Sequence, residues 1–256
     1  MTNFKRLDGE SRFYDIVGVG KFPSVTTILG VIAKPALIPW AQKEVANAIQ
    51  PILQDVFDHK IAPKDLDVDA ILKMARNRPK AIMEEAGDIG TQVHKALEII
   101  VNEKIANPDL SWEHLHERHH TFPDERIEKC VGAFFKWARE HDFVPLESEL
   151  MVYSKKIGYA GTFDAVGYVN GVLTVVDWKS SKAYYDEMGI QLSAYRHAYS
   201  EMTGKKKVDG MMVLRLGKLD GEFEVIKVTS PAKNMLAFKA ALELWKWKQS
   251  NSKRGE

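Results

Sequence analysis

The chain has 256 residues, of which 45% are hydrophobic and 28% charged, a composition ordinary for a globular protein with a sizeable core. Its 36 Lys and Arg against 35 Asp and Glu leave a formal charge of +1, so no global field announces a polyanionic partner; any nucleic acid must be held by a local groove. The single cysteine, Cys130, excludes an intrachain disulfide and a four-cysteine zinc or iron–sulfur site, and points to a reducing compartment.

The first ten residues, MTNFKRLDGE, mix acids with bases and lack the apolar run of a secretory signal. No segment approaches the roughly 20 apolar residues of a membrane helix, so a cytoplasmic protein is expected. After a short extended start over Arg12–Leu29, the first half reads as helical. One helix is expected from about Ile38 to Val56 with Pro39 in its first turn, and another from about Pro79 to Lys104 with Pro79 in the same role. A third, within Phe122–Asp142, spaces Ile127, Val131, Phe134, Phe135 and Ala138 for one helical face and is expected to cover a sheet.

Near Phe143 the period changes from helical to alternating. Three strands, roughly 147–154, 159–169 and 172–178, are expected in a meander, because Asn170–Gly171 suits a type I′ turn with positive φ at both positions. A helix over Asp186–Met202, a second hairpin turning at Asp220–Gly221, and a closing helix with Pro231 near its start follow. Helices before, between and after a mixed sheet define an α/β chain, read here as one domain: a mainly helical wall or arch over 1–142, and a sheet core over 143–256.

The segment VVDWKSSK, Val175 to Lys182, ends a buried strand with Asp177 and Lys179 on one face. They are either an ion pair or half of a site. The antiparallel partner strand carries Asp164, and two carboxylates on neighbouring strands can share Mg²⁺ or Mn²⁺, with Lys179 beside the cation. Asp58-His59-Lys60 has the same spacing but neither a preceding apolar strand nor an acidic hairpin partner, so it carries nothing.

Three further stretches matter. In GDIGTQVHKALE, two glycines inside a predicted helix imply a close backbone approach, and Gly90, His94 and Glu98 share one face; His94 is a metal or phosphate ligand, or a satisfied helical side chain. Gln191 and Tyr195, one turn apart, either project together towards the end of the sheet or form a core residue and its rim. The histidines of WEHLHERHHTF (His114, His116, His119 and His120) lack cysteines and regular spacing, so a polar surface connection is expected rather than zinc. Basic clusters at Arg76, Arg78 and Lys80, at Lys205–Lys207, and at Lys246, Lys248, Lys253 and Arg254 could line a groove or be solvated faces.

In this order, G-T-x-x-H (Gly90, Thr91, His94), G-x-x-D (Gly161, Asp164), D-W-K (Asp177 to Lys179) and Q-x-x-x-Y (Gln191, Tyr195) resemble the RecB-like branch of the PD-(D/E)XK nuclease superfamily. KFPSVTTIL and ALIPWA also resemble phage exonucleases and the mitochondrial genome maintenance exonuclease, so the resemblance spans about Phe22 to Tyr199. It implies a restriction-endonuclease-like mixed sheet with a helical N-terminal elaboration. It implies that His94, Asp164, Asp177 and the carbonyl of Trp178 bind Mg²⁺ or Mn²⁺, that Lys179 is the catalytic lysine, and that Gln191 and Tyr195 contact DNA and support the site. Glu149 is a further candidate, acting through a metal-bound water. Many members carry a cysteine-bound iron–sulfur cluster, which Cys130 alone cannot build.

The expected activity is therefore a metal-dependent DNA exonuclease acting on single-stranded or duplex ends in phage or bacterial recombination, repair or replication. The alternatives are a structure-specific endonuclease on the same core and a non-catalytic DNA-binding subunit of a helicase complex. No G-x-x-x-x-G-K-[ST] motif is present, so ATP-driven unwinding would come from a helicase or recombination partner. Trp40, Arg76 and Arg78 are candidate DNA contacts of the helical half, although for Trp40 a core role is expected instead.

Overall fold

The structure, a computed structural model, describes residues 4–9, 11–204 and 208–252. Three short strands, β1 (Phe4–Leu7), β2 (Phe13–Ile16) and β3 (Gly20–Pro23), form an antiparallel sheet. A five-residue helix follows, α1 (Val25–Leu29), started by Ser24, whose hydroxyl accepts the Thr27 N–H. The buried Tyr14 and Ile16 pack with Ala160 of the main sheet, so this small sheet is part of the core and not a tail.

The main sheet contains β4 (Val144–Ser154), β5 (Tyr159–Val169), β6 (Val172–Lys179), β7 (Gly210–Leu216) and β8 (Phe223–Lys227), in that spatial order. The expected meander is present: β4, β5 and β6 are antiparallel, and the turn between the last two has Asn170 at φ 47° and Gly171 at φ 77°. β6 and β7 are parallel, which requires a crossover, and α6 (Asp186–Thr203) supplies it. The second hairpin closes with Gly221 at φ 69°.

The two faces of the sheet are covered differently. On one, α1, α6 and α7 (Pro231–Ser252) bury Leu192, Tyr195, Tyr199, Phe238 and Leu242 against Phe163, Val166 and Val175. On the other, α5 (Glu125–Glu140) sets Phe134 and Trp137 against Trp178 and Phe143, in ring contacts of 4.8–6.4 Å. The spacing that predicted one apolar face of α5 is the spacing that buries Ile127, Val131, Phe134, Phe135 and Ala138.

Two expectations are corrected. Pro79 does not open a helix; it lies inside α3 (Val68–Ala106), which starts eleven positions earlier, where the Asp67 carboxylate accepts the Ala70 N–H at 2.9 Å. A proline in a helix interior forfeits one bond to the preceding turn at a cost of about 3 kcal/mol, which a 39-residue helix with many other bonds survives. The histidine-rich stretch is not a connection but contains α4 (Trp112–Arg118), capped by Ser111 and anchored by the buried Trp112 and Leu115, three residues apart. Its histidines are spent locally: His114 on Ser111, His116 stacked on Phe135, His119 on Glu103 and His120 on the Glu117 carbonyl.

The chain divides into two compact units. Residues 33–89 form the smaller, from α2 (Leu37–Phe57) and the N-terminal half of α3. Within it Ala48 and Ala75 are buried, Trp40 is half-buried and not a core residue, and Arg78 pairs with Glu44 at 3.5 Å. The remainder, 1–32 and 90–256, carries both sheets and the other motif residues. Lys205–Lys207, Lys253 and Arg254 lie outside the described residues.

Candidate active site

The site is built where β5 and β6 part company with regular pairing. Their bonded ladder ends at Ala165 opposite Val176, so Asp164 and Asp177 occupy the next step in register. On the other side of β5, Ser148 pairs with Ala165 and Leu150 with Phe163, which leaves Glu149 opposite Asp164. Strict alternation also breaks there. Glu147, bonded by the Tyr199 hydroxyl, and Val166 face α6, yet so do Leu150 and Phe163, each three residues away. The odd step is accommodated by Glu149, which sits at φ 48°, a left-handed conformation costing a non-glycine residue about 1–2 kcal/mol. The displaced pleat frees Glu149 and Asp164 from the α6-side core.

His94 reaches the same point from α3. Its Nδ1 donates to Asp164 Oδ1 at 2.9 Å, and the backbone N–H of Trp178 donates to Asp164 Oδ2 at 2.6 Å, so both oxygens of this buried carboxylate are held. Lys179 Nζ lies 2.5 Å from Asp177 Oδ2, which confirms that the two side chains leave the strand on one face. That contact is ionic but poorly directed: Asp177 Oδ2 is buried without a hydrogen bond of acceptable geometry.

The charges shift one another. Burial opposes a charged His94, but the Asp164 carboxylate outweighs it and the imidazole pKa is raised. Burial likewise pushes Asp164 up, and His94, Lys179 and the Trp178 N–H together bring it below the usual carboxylate range. Asp177 is raised, first by burial and then by the Asp164 charge, with Lys179 offsetting only part. Lys179 is held protonated because Asp177 and Asp164 outweigh its burial. Glu149 is pushed up to about 7, by burial and then by Asp164. Such crowding of like charge is what a bound cation relieves.

The donor set fits a divalent cation. Among the described residues, ligand atoms of His94, Glu149 and Asp164 lie within 4.8 Å of one another, and Asp177 adds an underbonded buried oxygen on the adjacent strand. One imidazole with carboxylates suits a metal that keeps positions for water and phosphate oxygens. A cation held there supplies positive charge at a scissile phosphate and acidifies water. Lys179 brings a fixed ammonium to the same pocket, where negative charge on a phosphoryl group would build.

Gln191 and Tyr195 form the expected pair, with Gln191 Nε2 donating to the Tyr195 hydroxyl at 3.1 Å. The packing reading holds, with Tyr195 in the core and Gln191 half-buried at its rim. Tyr195 is buried, its ring resting on Gly161, where an added Cβ would lie 2.4 Å from Cε1, and its hydroxyl lies in the field of Asp177. Gly161 is therefore required by packing. The other glycine expectation is corrected in part: Gly90 faces Ser180 Oγ at an ordinary 3.5 Å, but nothing lies within 4 Å of a Cβ placed on Gly87.

Sequence reasoning underweighted Glu149 and missed the two hydroxyls that brace β5: Ser148 Oγ donates to the Asp164 carbonyl at 3.1 Å, and Tyr14 shares a 2.9 Å bond with Thr162. An acid at an inward-facing position on the strand beside Asp164 was the available signal. Trp40, Arg76 and Arg78 belong to the 33–89 unit.

The family model of the PD-(D/E)XK nuclease superfamily matches residues 68–249, well over half of the chain, and the chain belongs to that superfamily. The match runs from the start of α3 into α7 and so includes His94, Glu149, Asp164, Asp177 and Lys179. Membership implies a nuclease that depends on a divalent metal and acts on DNA. No curated protein matches the chain in sequence. No helix among the described residues is long and apolar enough to cross a membrane.

Proposed function

We propose that the protein is a metal-dependent deoxyribonuclease of the RecB-like branch that degrades DNA from its ends. The observation that carries this reading is Asp164, held through one oxygen by His94 and through the other by the Trp178 N–H, opposite Asp177 on the neighbouring strand with Lys179 beside it. That grouping joins metal-ligand chemistry to a cation that can meet a phosphoryl oxygen. His94, Asp164, Asp177 and the Trp178 carbonyl are the proposed ligands of Mg²⁺ or Mn²⁺, with Glu149 a further one. Lys179 is the catalytic cation, and Gln191 and Tyr195 support it.

The resemblance of Lys21–Leu29 and Ala36–Ala41 to phage exonucleases favours end-directed digestion over internal cutting. In this reading the chain is one nuclease domain, with a mainly helical wall or arch over 1–142 and the sheet core over 143–256. It works in the cytoplasm of a bacterium or phage-infected cell, in recombination, repair or replication, beside a helicase or recombination partner.

The test is digestion of 5′-labelled and 3′-labelled single-stranded and duplex DNA, and of covalently closed circles, with Mg²⁺, Mn²⁺ or EDTA, by wild type and Lys179→Ala. The expected result is metal-dependent loss of linear DNA only, absent in the variant, with the label pattern giving the direction. Cutting of circles would replace the exonuclease by an endonuclease. Binding without any cleavage would leave an accessory DNA-binding subunit.

A further inference from the structure

The helix α7 is apolar on two sides but covered on one. Phe238, Ala241 and Leu242 are buried in the core, and Trp245 packs against Phe13 at 6.1 Å. On the opposite side Leu236, Leu244 and Trp247 are 69%, 43% and 62% exposed, and Ala237 and Ala240 are exposed between them. Residues 236, 240, 244 and 247 follow i, i+4, i+8, i+11, so they form one straight stripe along the helix, about 17 Å long at 1.5 Å per residue. A surface helix normally turns a single apolar stripe towards the core, so a second, exposed apolar stripe marks a contact.

The charges around the stripe choose its occupant. Lys233 lies within it, Lys239 and Lys248 flank it on either side, and the flanking acid Glu243 is already neutralised by Lys246 at 2.7 Å. A second copy of the chain would have to bring these lysines against their own counterparts, and a stripe of this length falls far below the roughly 800 Å² per partner of a stable dimer. A single amphipathic helix with acidic flanks satisfies both the apolar and the cationic elements, in the helix-against-apolar-surface mode of peptide recognition.

We propose that the outer face of α7 is a docking surface for an acidic amphipathic helix of a partner protein, with Leu236, Leu244 and Trp247 as anchors and Lys233, Lys239 and Lys248 as the charge-reading rim. The surface uses no residue of the nuclease site. It can therefore bring the nuclease to a partner without altering the chemistry.

The experiment measures binding of two fluorescent model helices to the full chain by polarisation. Both carry leucines at the same i, i+4, i+7 positions; one is flanked by glutamates and the other by lysines. The glutamate helix is expected to bind, to weaken about tenfold or more in Leu244→Glu and in Trp247→Glu protein, and to weaken with salt; the lysine helix is expected not to bind. Equal binding of both helices, binding of neither, or binding that survives both substitutions would overturn the proposal. Self-association in sedimentation, lost in Trp247→Glu, would overturn it in favour of a second copy. The substituted positions are exposed, and an unchanged circular dichroism spectrum and DNA-degrading activity establish that the variants are folded.

Discussion

Asp164 Oδ1 and His94 Nδ1, 70 residues apart in the chain, meet at 2.9 Å, and this contact joins the helix α3 to the centre of the sheet. Because each supplies a donor atom to the cluster that also contains Glu149, removing either should be felt first as lost metal affinity. His94→Ala and Asp164→Asn are expected to weaken Mn²⁺ binding, measured by calorimetry without DNA, by about tenfold or more. Lys179→Ala should still bind Mn²⁺ while losing cleavage, and Asp177→Ala should lose cleavage. Turnover retained in Asp177→Ala protein would sink the active-site assignment.

Glu149 spends backbone energy to reach the site. Its left-handed φ of 48° is tolerated by glycine without penalty, and its raised pKa marks an uncomfortable carboxylate. Glu149→Gly is therefore expected to stabilise the metal-free protein by about 1 kcal/mol in urea denaturation while weakening Mn²⁺ binding. A destabilised variant with unchanged metal affinity would show that Glu149 is purely structural.

Asp177 and Lys179 are nearly withdrawn from water, with side chains 3% and 20% exposed. Removing one member strands the other, so Lys179→Ala should cost about 2 kcal/mol in the metal-free protein. The double variant Asp177→Asn/Lys179→Met should cost less than the sum of the singles, and a double-mutant cycle reads the difference. Strict additivity would mean that the pair contributes nothing.

Gly161→Ala would place its Cβ 2.4 Å from the Tyr195 ring, and an overpacked core contact of this kind costs about 1–3 kcal/mol. Most of that cost should vanish in a Tyr195→Ala background, where the ring is gone. If it persists there, the strain comes from elsewhere in β5.

A source of acid sensitivity lies at the start of α5. Asp124 caps that helix and is lowered from 3.8 to about 2, by the Arg126 side chain first and the Arg126 N–H second. A carboxyl whose folded pKa is depressed contributes stability that is present above its unfolded pKa and lost as pH falls through the folded value. Melting temperatures of wild type and Asp124→Asn should therefore differ above about pH 4 and converge towards about pH 2. A constant difference across that window would remove Asp124 from the account.

Local chemistry was legible in the sequence, and geometry across the fold was not. The turn at Asn170–Gly171, the burying face of α5 and the shared face of Asp177 and Lys179 follow from positive φ, the 3.6-residue period and the two-residue period, each a property of a few consecutive residues. The hairpin at Asn170–Gly171 placed Asp164 on the strand beside Asp177, and only the resemblance of its motif selected His94 as a ligand. The start of α3 was misplaced because Pro79 is a strong local signal, whereas the Asp67 cap that opens the helix is a weaker one. The meeting of Glu149, Asp164 and His94 was decided only in three dimensions. It needs a break in strand alternation at Glu149 and the docking of a helix from 70 residues upstream, and neither leaves a period in the sequence, because both are set by what packs against the strand rather than by the strand itself.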